Sequence, residues 1–126
     1  MSKVVLKLIS DAMESLGIAY GFMEYNGNPL VYPYFVGEYS EVPTLSEDGQ
    51  KETTFLLTGF SRGSWLDLEN TREKIENYYG ITGRTAILNN STGVAVLYDN
   101  ALVVPTDDAD LKRIQINLTI KEWRVS

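Results

Sequence analysis

From Lys112 to Lys121 the chain alternates without a break. Ile114, Ile116, Leu118 and Ile120 fall on one side, and Arg113, Gln115, Asn117, Thr119 and Lys121 on the other. A repeat of two belongs to a β-strand, whose successive side chains point to opposite faces. One face of this strand therefore has to be core, and the other is wet or held by a partner. At Trp123 and Val125 the apolar phase flips, which predicts a bulge or a change of surface there.

Two segments carry a helical period instead. In residues 2–16, Val5, Leu8, Ala12 and Leu16 recur three to four apart, with Val4 and Ile9 beside them. Ser2 is placed to cap this helix and Gly17 to end it. In residues 64–79, Leu68, Ile75 and Tyr79 form the stripe, with Trp65 at its start. Ser64 followed by Asp67 makes a variant capping box, and Gly80 supplies the stop.

The remaining segments read as strands and turns. Ile18, Tyr20 and Phe22 alternate within 18–25, and Asn26-Gly27-Asn28-Pro29 is a turn. Residues 30–42 are extended and aromatic, with Tyr32, Tyr34 and Val36 on one face and Val31, Phe35 and Tyr39 on the other. Pro33 has no backbone N–H, so an edge strand or a bulge is expected there. After a polar loop at 43–50, residues 51–60 return as a strand antiparallel to 30–42. Residues 84–89 and 93–98 read as a hairpin, 101–104 as a short apolar strand or strand start, and 105–110 as an acidic loop. This order predicts a single α+β domain over residues 1–126. Its sheet is mainly antiparallel, with two α-helices packed on one face.

The chemical inventory is narrow. Among 126 residues there is no histidine and no cysteine. That removes the commonest acid/base group at neutral pH, the reactive thiol and most transition-metal ligands. The net charge of −6 argues against a basic nucleic-acid reader. Gly59-Phe60-Ser61-Arg62-Gly63-Ser64 leads into a helix but lacks the lysine and spacing of a nucleotide loop, so a strand exit with a cap is the better reading. Asp107, Asp108 and Asp110, with Asp99 nearby, lack the ordered series of a calcium loop and read as solvated surface. No spacing singles out a pair of carboxylates for hydrolysis. No catalytic, cofactor or metal residue is therefore expected. Seven of the 14 aromatic residues lie between Tyr20 and Tyr39, a composition that suits a protein–protein surface. No apolar run approaches membrane-spanning length and the start does not read as a signal peptide, so a soluble intracellular protein is expected.

Charge is unevenly distributed. Residues 38–52 and 99–110 are acidic, whereas 111–126 is basic. The usual outcome of such asymmetry is solvated surface, but in a ring of identical subunits it would set which loops face the hole.

Two stretches carry a resemblance: Leu30-Val31-Tyr32-Pro33-Tyr34-Phe35-Val36-Gly37-Glu38-Tyr39, and Leu111-Lys112-Arg113-Ile114-Gln115-Ile116-Asn117-Leu118-Thr119-Ile120-Lys121-Glu122-Trp123. With the length and the element order, they resemble the tail terminator, or tail-completion, proteins at the head–tail junction (neck) of tailed bacteriophages and prophages. The resemblance implies a structural virion protein that caps the tail tube and joins it to the head as an oligomeric ring, commonly a hexamer. It implies no catalysis and no cofactor. Its partners would be further copies of itself, the tail tube protein and a head-completion or connector protein. DNA would pass through without specific binding, and no membrane is involved. The protein would reside in the virion, and in the host bacterial cytoplasm during assembly. For such a ring, Tyr32, Tyr34, Arg113, Gln115 and Lys121 are the expected subunit-contact residues. Glu38, Glu41, Glu47 and Asp48, in the 38–52 segment, are expected to line the lumen, where like charge keeps DNA from sticking. The alternative is a small intracellular peptide- or metabolite-binding domain using the aromatic strand at 30–39.

Overall fold

The computed structural model describes residues 1–41, 51–88 and 92–124. Along the chain come α1 (Lys3–Ser15), β1 (Ala19–Phe22), β2 (Tyr34–Glu41), β3 (Lys51–Ser61), α2 (Trp65–Tyr79), β4 (Arg84–Leu88), β5 (Thr92–Val104) and β6 (Lys112–Arg124). The strands form one six-stranded sheet in the order β1-β2-β3-β6-β5-β4. Every pairing is antiparallel except β1 with β2. The architecture is the expected α+β fold.

The alternating strand lies inside the sheet, between β3 and β5. Ile114, Ile116, Leu118 and Ile120 are all buried. Phe55 and Leu57 of β3 sit opposite Leu118 and Ile116. Val96 and Tyr98 of β5 sit opposite Ile120 and Leu118. Both helices cover this same face. Val5, Ile9, Ala12 and Met13 of α1 and Leu68, Ile75 and Tyr79 of α2 join the strand residues in one core cluster. Each large aliphatic side chain so buried stabilises the fold by about 1.5–3 kcal/mol.

The helix ends follow their local chemistry. Ser2 Oγ accepts the Val5 N–H at 3.3 Å, and Gly17 takes a φ of 72° where α1 stops. Ser64 Oγ accepts the Asp67 N–H at 3.4 Å. At the other end of α2, the Gly80 carbonyl accepts the Tyr98 N–H at 3.0 Å, which ties the helix terminus to β5.

Three local expectations are revised. The 30–42 strand begins only at Tyr34, after Pro33, and it is not an edge there, because β1 runs parallel beside Tyr34–Gly37. The missing N–H of Pro33 thus falls outside the ladder. The 101–104 stretch is not a separate strand but the end of β5, and the sheet's irregularity lies in β5 between Tyr98 and Asn100. β6 stays in register to its end, so the phase flip at Trp123 is a change of surface: Trp123 pairs with Gly93 on the face away from the helices.

Candidate assembly surface

The face of the sheet opposite the helices has no helix over it among the described residues. Cross-strand neighbours share a face, so the register arranges its side chains in rows. Tyr34, Phe60, Arg113 and Val104 form one row, followed by Val36, Thr58, Gln115 and Leu102, and then by Glu38, Leu56, Asn117 and Asn100. Lys121 lies further along, opposite Glu52 and Ala95. The register thus places Tyr34, Arg113, Gln115 and Lys121 on one surface, and the Tyr32 ring packs beside Tyr34 with centroids 5.5 Å apart.

An aromatic corner dominates one end. The Tyr25 and Tyr34 rings stack at 4.9 Å, and Tyr34 and Phe60 at 5.2 Å. Burial among these rings pushes the Tyr34 phenol up, Tyr32 adds to the shift, and Arg62 opposes it. Behind the corner Arg62 pairs with Asp108 at 2.9 Å, and Arg113 donates to the Pro105 carbonyl at 3.0 Å. Beyond it a chain of neutral amides runs across the face, with Glu38 at one side and Glu52 and Lys121 further along. Gln115 Nε2 donates to Asn117 Oδ1 at 2.9 Å, and Asn117 Nδ2 donates to Asn100 Oδ1 at 2.6 Å. Aromatic anchors beside neutral hydrogen-bonding groups are the make-up of protein interfaces.

Glu38 is exposed on the open face. Glu41 pairs with the Met1 amino group at 3.1 Å and with Lys51. Lys51 first, then the amino terminus, hold its carboxyl below the usual range. Glu47 and Asp48 lie outside the described residues. The Gly59–Ser64 segment holds no free cation for an anion: Arg62 is engaged by Asp108, and Ser61 Oγ accepts the Gly63 N–H at 3.1 Å.

Sequence reasoning missed Tyr25 and Phe60 as parts of the aromatic corner. Phe60 had a signal, since it alternates against Leu57 and Phe55, but Tyr25 reaches the stack only because the 23–33 segment folds back. The concavities are small. A cleft of about 230 Å³ includes Ala19, Tyr32, Pro33, Thr71 and Lys74. Another, of about 290 Å³, lies between the helices and β4, beside Leu8, Tyr78, Tyr79 and Arg84. Both fall just short of the roughly 300–1,000 Å³ usual for ligand pockets, and a third, of about 320 Å³ beside Glu52, Ile81, Tyr98 and Lys121, lies at its lower bound. Among the described residues no three or more carboxylates gather as a metal site, and no helix is long and apolar enough to cross a membrane.

These elements define an α+β sheet protein with one face covered and one face open. No family model and no curated protein matches the chain. Its fold is similar to that of a chain in the solved virion of a native gene transfer agent (GTA) particle, with a TM-score of 0.64. The match covers 89% of this chain and 84% of that one at 12% sequence identity, so the likeness is one of fold.

Proposed function

We propose that this chain is a structural virion protein of a tailed phage or prophage, which caps the tail tube and joins it to the head as a ring of identical subunits. Residues 1–126 act in it as a single domain, without catalysis. The observation that carries this reading is the uncovered sheet face, where Tyr34, Arg113 and Gln115 stand beside a stacked aromatic corner. Similarity of fold to a chain of the gene transfer agent virion supports the setting. Tyr32, Tyr34, Arg113, Gln115 and Lys121 are the subunit-contact residues in this proposal. Glu38 and Glu41, with Glu47 and Asp48, supply the acidic lining past which DNA slides. The tail tube protein on one side and a head-completion or connector protein on the other are the axial partners.

Sedimentation velocity over a wide concentration range, with electron microscopy of the protein alone and mixed with tail tubes, tests the reading. Rings in solution or on tube ends are expected. A strict monomer that binds no tube end would overturn it.

A further inference from the structure

Among the described residues, both ends of this sheet carry backbone with no strand partner. At one end β4 has β5 on one side and, among the described residues, no strand on the other. At the other end β1 pairs only with Tyr34–Gly37, so Glu38–Glu41 has β3 on its inner side and, among the described residues, no strand on its outer side. The two open segments match in length, with five residues in β4 and four in the free half of β2.

Proteins normally blunt an open edge with lysine, proline or a bulge, because unpaired N–H and C=O groups recruit other strands. β4, Arg84-Thr85-Ala86-Ile87-Leu88, has neither lysine nor proline and pairs with β5 in unbroken register. Its Ile87 is 62% exposed, and Ile81 just before the strand is 80% exposed. An edge of this composition is built to be covered.

Charge selects what covers it. Arg84 is the lone charged residue between Glu76 and Asp99, so the β4 end of the sheet is cationic. The other end is its opposite. No lysine or arginine occurs between Lys7 and Lys51, and Glu24 and Glu38 lie on or beside β1 and β2, while Glu41 is already paired with Lys51 and the Met1 amino group. Two β4 edges meeting about a two-fold axis would run antiparallel and set Arg84 opposite Leu88, with no opposite charge to attract it, and two β2 edges would set Glu38 near Glu41. Only the unlike edges attract. They lie at opposite ends of one sheet, so they cannot meet within a single copy.

We infer that β4 of one copy adds to the free half of β2, Glu38–Glu41, of the next copy, making the sheets continuous from subunit to subunit. Such a contact is head-to-tail, and it closes into a ring when the rotation per step divides a full turn. The inference rests on the assembly reading above and specifies its backbone contact.

Two double variants test it, each altering exposed side chains at one edge: Thr85→Lys with Ile87→Lys, and Glu38→Lys with Ser40→Lys. Circular dichroism and thermal melts check that both fold. Each alone is expected to raise the concentration for half-assembly at least tenfold. Mixed one to one, they retain one intact edge of each kind and are expected to form a heterodimer and nothing larger. Rings that persist in both variants would overturn edge addition and leave the assembly reading standing. So would monomeric variants whose mixture gives no heterodimer. A wild type that is monomeric throughout and binds no tube end would overturn both.

Discussion

The ring of Phe35 lies over the bare α-carbon of Gly59, its partner across the β2–β3 ladder. A methyl group at Gly59 would stand 2.5 Å from the ring, closer than any real carbon contact. Both residues are buried on the helix-covered face. Gly59→Ala is therefore expected to destabilise the fold by about 1–3 kcal/mol, as overpacking does. Urea denaturation measures it. Combining Gly59→Ala with Phe35→Leu should cost less than the sum of the two single changes, because the second removes the ring that the first strikes.

Asp108 joins the acidic loop to the exit of β3. Its carboxylate accepts the Asp110 N–H at 2.9 Å and pairs with Arg62 at 2.9 Å. The backbone bond first, and then Arg62, hold its carboxyl below the usual value. A depressed carboxylate contributes stability above its unfolded pKa of about 3.9 and loses it as pH falls through the folded value. The melting-temperature gap between wild type and Asp108→Asn should thus be small at neutral pH and close as acid is added. It should also shrink in high salt, since the pair is exposed. A gap that widens in acid would contradict this assignment.

Tyr20 titrates at the other extreme. Burial pushes its phenol up to about 12, and its hydroxyl packs against Gly37. A phenol raised above its unfolded value of about 10 contributes stability that is whole below that value and is lost as pH climbs through the folded one. Ultraviolet titration should show a late-ionising tyrosine that Tyr20→Phe removes. The variant should also lose less stability than wild type between about pH 10 and 12.

Tyr34 touches Tyr25, Tyr32 and Phe60 within the aromatic corner. If that corner is a subunit contact, Tyr34→Ala should weaken self-association by a factor of ten or more, about 1.4 kcal/mol or above. Sedimentation at several concentrations reads this directly. A similar loss of monomer stability without any change in association would assign the stack to folding alone.

Glu47→Lys with Asp48→Lys tests the acidic lining. Assembly should survive the double change, while DNA delivery slows as like-charge repulsion is replaced by attraction. Normal infectivity in a phage carrying both substitutions would remove these two residues from the lumen.

Much of the fold was legible in the chain, for local reasons. The alternation of Ile114, Ile116, Leu118 and Ile120 specifies a strand with one buried face, whatever its neighbours are. Ser2, Gly17, Ser64 and Gly80 mark helix ends because capping is satisfied within one turn. The candidate surface was legible in part. Tyr34, Arg113, Gln115 and Lys121 could each be placed on a strand face, but their shared face follows from the β2–β3–β6 register.

Other features needed the folded chain. Pro33 suggested an edge, yet β1 covers the start of β2, because the intervening segment returns β1 parallel to it. The Arg62–Asp108 pair joins residues 46 positions apart, and no spacing rule reaches that far. The sequence by itself determined the strands, the helices and which side of each is apolar, since these depend on neighbours within a few residues. Only the tertiary structure decided which strands became the ends of the sheet and which face stayed open. Those outcomes depend on the order in which distant strands pair, and that order is set by the packing of the whole core.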